Sequence, residues 1–105
     1  GEGLPSGIWR VDHRIKLGGE RTPAKRPLVE YFRANFYVTT SGNFHDSTLA
    51  SALAELGADR IMYSVDYPFE SSHEICGWFD SFPINEDDRL KIGRLNAAKY
   101  WHIPL

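Results

Sequence analysis

Asp66 is the residue whose type and position most strongly suggest chemistry. It follows a mostly apolar stretch, Ile61–Val65, and stands two residues before Pro68. In parallel α/β sheets, ligands and catalytic groups collect at the carboxyl ends of the strands. A carboxylate at that edge can bind a metal ion or transfer a proton. Because strand side chains alternate, Ser64 and Asp66 are expected on one face, toward the mouth of the sheet. A second interpretation stays open, in which Asp66 only caps the turn that follows.

The histidines do not form a recognisable site by themselves. They are far apart and include neither an H-x-H pair nor an i, i+4 pair: His13, His45, His73 and His102. A self-contained metal site within this sequence is therefore not expected. Ser64, Asp66 and His73 would be the parts of a hydrolytic triad, but no G-x-S-x-G turn accompanies them. The chemistry suggested by the residues centres on Asp66.

A strand, a helix and a second strand are predicted to position this carboxylate. The first strand, Phe36–Thr40, is rich in aromatic and β-branched residues, and Ser41-Gly42-Asn43 closes it as a turn. The following helix carries leucines on one stripe, is capped by Asp46 or Ser47, and ends at Gly57. The apolar stretch described above is the second strand. This order predicts a parallel βαβ unit with its helices outside the sheet.

Glycine and proline recur through the first 27 residues, so a continuous helix is not expected there. We predict a loop with a short helical piece near Ile8–Ile15. The other predicted elements are helices: Pro27 to about Ala34, His73–Phe82 up to a break at Pro83, and a final helix opened by Asn85 with Glu86, Asp87 and Asp88 in its first turn.

The composition is that of an ordinary globular domain. The 105 residues include 12 Lys+Arg and 14 Asp+Glu, for a net charge of −2, and 42% of them are hydrophobic. The segment Arg10–Arg26 holds six basic and two acidic residues, a local charge of +4, which can attract an anion or form a solvated or subunit-facing loop. With one cysteine and no signal or membrane-spanning sequence, we expect a cytoplasmic protein without nucleic-acid or membrane partners. The chain opens on Gly1 rather than Met, so we expect a fragment of something longer.

Several segments resemble one group of enzymes. The main ones are Asn35–Asn43, Gly57–Glu70 and Lys91–Tyr100, and the opening segments Gly1–Pro5 and Trp9–Arg14 are similar as well. In this order and spacing they resemble the end of the metal-dependent, non-oxidative aromatic acid decarboxylases of the amidohydrolase superfamily. These enzymes act on γ-resorcylate, 2,3-dihydroxybenzoate or salicylate. The resemblance covers nearly the whole chain.

The resemblance implies an α/β fold, namely the C-terminal part of a TIM (β/α)8 barrel with parallel strands and outer helices. Residues 1–105 would be a C-terminal fragment of a single amidohydrolase-type barrel domain, from about the exit of strand six to the C-terminal helix. A complete barrel takes about 250 residues, so this length cannot close one. The remaining metal ligands of the family would lie outside this chain.

The resemblance also implies roles for particular residues. Asp66 corresponds to the family's metal-binding aspartate, which is also the proton donor to the ring carbon. Glu2 corresponds to a glutamate that orients the catalytic histidine. Arg10, His13 and Arg14 match a segment that approaches the substrate or the neighbouring subunit. One divalent metal ion (Zn²⁺ or Mn²⁺), a small aromatic carboxylate substrate and a homo-oligomer (dimer or tetramer) are implied as well.

We therefore expect the full-length protein to be a carboxy-lyase that removes CO₂ from a hydroxybenzoate-type acid, and the isolated fragment to be inactive. Two alternatives stay open. In the first, the protein is a hydrolase of the same superfamily, such as a lactonase, in which a metal activates water and Asp66 acts as the base. In the second, the chain is a non-enzymatic, truncated remnant.

Overall fold

The computed structural model describes residues 2–19 and 22–105. Helices surround a short two-stranded sheet. In chain order the elements are α1 (Gly3–Gly18), α2 (Leu28–Asn35), β1 (Val38–Thr39), α3 (Asp46–Leu56), a 3₁₀ turn (Ala58–Arg60), β2 (Ile61–Met62), α4 (Ser72–Ser81), α5 (Glu86–Leu90), a π turn (Lys91–Leu95) and α6 (Asn96–Tyr100).

The long helix α1 corrects the prediction of a loop with a short helical piece near Ile8–Ile15. Pro5 is tolerated because it lies in the first turn, where backbone N–H groups have no helical partner. Gly19 adopts the left-handed conformation (φ 62°) and ends the helix. Ile8 is buried with Phe32 and Leu56 in a small core. This burial outweighs the helix-weakening effect of the glycines near the start of α1.

Asp12 connects α1 to α2. Its carboxylate oxygens accept hydrogen bonds from the backbone N–H groups of Leu28 (2.6 Å) and Val29 (2.9 Å). The residue that precedes α2, Pro27, makes no capping hydrogen bond from its own side chain. The first turn of α2 is thus capped from another helix. The extent of α2 agrees with the prediction to within about one residue at each end.

The strands β1 and β2 pair in parallel, which confirms the predicted βαβ unit. Val38 lies opposite Ile61, and Thr39 lies opposite Met62. Both β2 residues are buried, as in parallel sheets covered on both faces. Each strand has only two regularly paired residues and is shorter than predicted. Beyond the pair, Thr40 still donates its N–H to the carbonyl of Met62 at 3.1 Å.

Helix α3 begins at Asp46, one or two residues earlier than predicted, because its cap is His45 rather than Asp46 or Ser47. His45 has an extended backbone, and its ring accepts a hydrogen bond from the N–H of Ser47 at 3.4 Å. Asp46 instead accepts a hydrogen bond from the indole N–H of Trp78 at 2.8 Å. At the other end, the helix stops before Gly57 as predicted, and this glycine has a φ of 76° and a ψ of 163°.

The main core lies between β2, α3 and the C-terminal helices. Helix α4 matches the predicted His73–Phe82 to within one residue at each end, and Asn85 caps α5 as predicted by accepting from the N–H of Asp88 at 2.8 Å. The π turn between α5 and α6 was not predicted. No helix within residues 2–19 and 22–105 is long and apolar enough to cross a membrane. The buried core residues are Leu49, Ala52, Ile61, Phe79, Phe82 and Ile92.

Candidate active site at the carboxyl ends of the strands

Asp66 lies exposed, four residues beyond the end of β2. Its backbone has a φ of 75°, a left-handed conformation that few residues other than glycine adopt. Its carbonyl accepts from the N–H of Phe69 at 3.0 Å, so the backbone makes the predicted turn. Within the described residues, its carboxylate accepts no hydrogen bond. The side chain is therefore available to a ligand, and an unusual backbone conformation of this kind is common at functional sites.

Hydroxyl groups fix the backbone just before Asp66. The Thr40 hydroxyl donates to the carbonyl of Ser64 at 2.8 Å and accepts from the N–H of Ser64 at 3.0 Å. The Ser41 hydroxyl donates to the Ser64 hydroxyl at 2.8 Å. Thr40 is buried, so its two bonds to Ser64 are partly shielded from water. The ends of the two strands are thereby joined by side chains where the regular ladder stops.

Glu2 precedes α1 and is exposed. The side-chain amide of Asn43 donates a hydrogen bond to its Oε2 atom. Asn43 belongs to the turn that follows β1, so this contact connects the start of α1 to the same edge of the sheet. The family resemblance places Glu2 in the candidate site, whereas the sequence identifies Asn43 only as part of a turn. The amide's position just after the first strand was the signal that could have identified it.

Arg10, His13 and Arg14 lie exposed on α1. The His13 ring stacks on Trp9 with a centroid distance of 4.7 Å and an interplanar angle of 11°. Both rings line a cavity of about 370 Å³ beside Lys16. No hydrogen bond or ion pair joins the three predicted residues to Glu2 or Asp66 in the part of the chain that the structure describes.

Part of the basic segment Arg10–Arg26 is engaged with α2. Arg26 lies over the Tyr31 ring, 4.8 Å from its centroid, and 3.9 Å from a carboxylate oxygen of Glu30. Glu20 and Arg21, which contribute to the predicted local charge, lie outside the described residues.

A divalent metal ion could receive one ligand from this chain. Across residues 2–19 and 22–105, no group of three His, Cys, Asp or Glu side chains is placed to hold a metal ion. The exposed Asp66 carboxylate is an oxygen ligand of the type that Zn²⁺ and Mn²⁺ accept. The described residues thus fit a site in which Asp66 is one ligand and the others come from elsewhere.

Tyr63 makes a second polar contact near the end of β2. Its phenol donates a hydrogen bond to the Cys76 sulfur at 3.2 Å, and its ring stacks on Phe79 with a centroid distance of 4.7 Å. Burial, together with the hydrogen bond to the thiol, raises the pKa of Tyr63 above its ordinary value. Tyr63 therefore acts as a neutral hydrogen-bond donor at physiological pH.

Comparison with known proteins identifies similar sequences and structures. Residues 15–103 match the family described as Amidohydrolase. The chain is 53% identical to the gamma-resorcylate decarboxylase of Rhodococcus jostii (strain RHA1) over 100 residues, which cover 93% of this chain and 30% of that relative. Among solved structures, 2,6-dihydroxybenzoate decarboxylase in complex with 2,6-dihydroxybenzoate superposes with a TM-score of 0.88 at 48% identity, over 96% of this chain and 32% of that one.

A dihydroxybenzoic acid decarboxylase from Polaromonas sp. JS666, solved with bound manganese and the inhibitor 2-nitroresorcinol, is also similar. It superposes with a TM-score of 0.86 at 48% identity, over 96% of this chain and 31% of that one. The chain thus spans about a third of the length of the relatives it matches. Its fold is α/β, as the residue pattern predicted, and corresponds to part of a TIM barrel, as the family resemblance implied.

Proposed function

This chain belongs to the amidohydrolase family, and from that premise we propose that the complete protein removes CO₂ from a hydroxybenzoate-type acid such as 2,6-dihydroxybenzoate. Two kinds of similarity support the proposal: the identity to gamma-resorcylate decarboxylase and the superposition on 2,6-dihydroxybenzoate decarboxylase. The observation that carries it is the position of Asp66 beyond the carboxyl end of a parallel strand, as an exposed carboxylate that accepts no hydrogen bond from residues 2–19 and 22–105.

The reaction needs an acid at the ring carbon that bears the carboxylate. A proton moves from the carboxylic acid form of Asp66 to that carbon. The carbon becomes tetrahedral, so the ring temporarily loses its aromaticity. The bond to the carboxylate carbon then breaks, its electron pair restores the ring, and CO₂ leaves. Asp66 remains as a carboxylate and is reprotonated from solvent. No oxidant or reductant is consumed, and the position of Asp66 beside the substrate supplies the orientation that such a transfer needs.

A divalent ion is part of the proposal, with Asp66 as one of its ligands. When bound, Mn²⁺ or Zn²⁺ supplies positive charge that stabilises the anionic substrate and fixes its orientation. The Polaromonas relative with bound manganese supports Mn²⁺ in particular. We place the remaining ligands in the part of the barrel that this chain does not include.

Glu2 and α1 have supporting roles in the proposal. Glu2 orients a catalytic histidine, as the corresponding glutamate does in the family. Arg10, His13 and Arg14 contact the substrate or a neighbouring subunit of a homo-oligomer, a dimer or a tetramer. Their exposure on α1 leaves them accessible for either role. We further propose that residues 1–105 belong to one barrel domain of a cytoplasmic enzyme without nucleic-acid or membrane partners.

The substitution Asp66→Asn in the complete, manganese-loaded protein tests the proposal. Release of CO₂ from 2,6-dihydroxybenzoate should be abolished, because the amide has no acidic proton to transfer. Asp59→Asn is the matched control, since Asp59 is an exposed carboxylate that forms an ion pair with Lys91 at 2.9 Å. That variant should retain wild-type turnover. Substantial turnover in Asp66→Asn would refute the assigned role.

The same preparation also distinguishes the two alternatives. Hydrolysis of a lactone without release of CO₂ from dihydroxybenzoates would identify a hydrolase of this family. A protein that turns over neither kind of substrate, and binds no manganese, would be a non-enzymatic remnant.

A further inference from the structure

We propose that Asn43 is a positioning residue that orients the carboxylate of Glu2, and that the turn Thr40–Asn43 holds Glu2 and Asp66 in a fixed relation. The inference rests on the proposed function, in which both carboxylates belong to one catalytic site. It assigns a role to a residue that neither the sequence motifs nor the proposed mechanism uses.

The first observation is the contact itself. The Asn43 amide donates to Oε2 of Glu2. A carboxylate has two oxygens, and engaging one of them fixes the rotation of the group. The other oxygen, Oε1, has no partner among the described residues and is left to accept a hydrogen bond from an imidazole N–H. An orienting carboxylate needs this arrangement in order to hold a histidine in one tautomer.

The second observation is that the Glu2 side chain does not form a hydrogen bond with the first turn of α1. Glu2 occupies the position before α1, where its negative charge would interact favourably with the helix dipole. Nevertheless, its carboxylate makes no capping hydrogen bond to α1. The side chain is turned toward Asn43 instead. This orientation indicates a role outside the stability of α1.

The third observation is that Asn43 is itself firmly positioned. Its N–H donates to the carbonyl of Thr40 at 3.2 Å and closes a tight turn. Gly42 has a φ of 76° within this turn, a conformation that costs glycine little and other residues considerably more. The Asn43 amide therefore projects from a constrained backbone.

The other end of the turn is bonded to the segment that follows β2. Thr40 bonds the backbone of Ser64 through its hydroxyl, and Ser41 bonds the Ser64 hydroxyl. Ser64 lies two residues before Asp66. A turn of four residues thus supports Glu2 through Asn43 at one end and the backbone that leads to Asp66 at the other.

A double-mutant cycle in the complete, manganese-loaded protein tests the inference. The variants are Asn43→Ala, Glu2→Gln and the combination of both, assayed with 2,6-dihydroxybenzoate. We expect Asn43→Ala to lower kcat at least tenfold, with KM, manganese content and melting temperature close to wild type. The double variant should be no slower than Glu2→Gln alone, because Asn43 acts through Glu2. A crystal structure of Asn43→Ala should show the Glu2 carboxylate rotated from its wild-type position.

Asn35→Ala is the matched control, since the Asn35 amide is exposed and, among the residues that the structure describes, bonds the Tyr31 carbonyl of its own helix, at 3.0 Å, and no other group. It should behave as wild type. The inference is overturned if Asn43→Ala keeps wild-type kcat. It is also overturned if the fold-loss of kcat in the double variant equals the product of the losses in Asn43→Ala and Glu2→Gln. A loss of kcat that is matched by a fall in melting temperature would also overturn it, in favour of a structural role. Failure of the proposed function is seen separately, as a wild-type protein that releases no CO₂.

Discussion

Asn96 donates its side-chain amide to the backbone carbonyl of Ile61 at 2.7 Å, from a helix 35 residues further along the chain. The same nitrogen donates to the carbonyl of Ala58 at 2.6 Å. Nearby, the N–H of Tyr63 donates to the carbonyl of Ile92 at 2.8 Å. The C-terminal helices therefore satisfy the polar groups on the edge of β2 that faces away from β1.

The π turn makes this arrangement possible. In an α-helix the N–H of Asn96 would bond the carbonyl of Ile92, but here it bonds that of Lys91. The shift by one residue leaves the Ile92 carbonyl free to accept from the strand.

Asn96→Ala should destabilise the complete protein by about 1–3 kcal/mol, because two carbonyls lose their donor in a buried setting. Asn96→Asp keeps the size of the side chain but places a carboxylate oxygen, an acceptor, against the carbonyls of Ala58 and Ile61, which are also acceptors. The loss of stability should therefore be at least as large as in Asn96→Ala. Urea unfolding monitored by circular dichroism gives both values. Asn35→Ala serves as an exposed control and should change stability little. If Asn96→Ala is as stable as Asn35→Ala, the amide bonds do not stabilise the sheet edge.

Tyr63 should make stability sensitive to alkaline pH. Because its folded pKa is raised above the ordinary value of 10.0, the unfolded chain releases this proton first as the pH rises. The stabilisation of the folded state by the neutral Tyr63 phenol is therefore fully present below pH 10. It is lost as the pH rises through the pKa of Tyr63 in the folded protein. Above pH 10, the free energy of unfolding should fall more steeply in wild type than in Tyr63→Phe.

Urea unfolding of the two proteins between pH 8 and about pH 11 measures the difference between these slopes. Cys76→Ala removes the thiol that accepts from the phenol but leaves the burial of Tyr63 in place. It should reduce the effect without abolishing it. Parallel curves for wild type and Tyr63→Phe would contradict the prediction.

Asp12→Ala should destabilise the protein by about 1–2 kcal/mol, the usual cost of removing a helix cap. Asp12→Asn keeps one acceptor oxygen and should lose less. The melting temperatures of the two variants, measured by calorimetry, should rank in that order below wild type. Asp59→Ala, which removes an exposed carboxylate, is the control and should have a smaller effect. If Asp12→Ala has the same melting temperature as Asp59→Ala, the stability of α2 does not depend on this cap.

Sequence reasoning succeeded where the signal is local. Asn85 identifies the start of α5 because its side chain bonds a backbone group three residues away. The βαβ order follows from residue types and helix length, and with it the place of Asp66 after the last strand. The prediction for α1 was wrong because the penalties of its glycines are local, whereas the burial of Ile8 that offsets them depends on α2 and α3.

The contacts that could not be predicted join distant parts of the chain. Asn43 and Glu2 are 41 positions apart, and only the folded chain brings them together. The π turn escaped prediction for a different reason. An apolar helical face looks much the same whether its hydrogen bonds span four residues or five, so the freed carbonyl of Ile92 has no signature in the sequence.

The cap that Asp12 provides has a consequence for how the chain folds. Helix α2 is eight residues long, too short to be stable on its own in water. The acceptor of its N-terminal hydrogen bonds is Asp12 of α1, which lies 16 positions before Leu28. The nucleation of α2 is therefore tied to the docking of α1, so the two helices should appear in one kinetic phase and exchange their amide hydrogens as one cooperative unit.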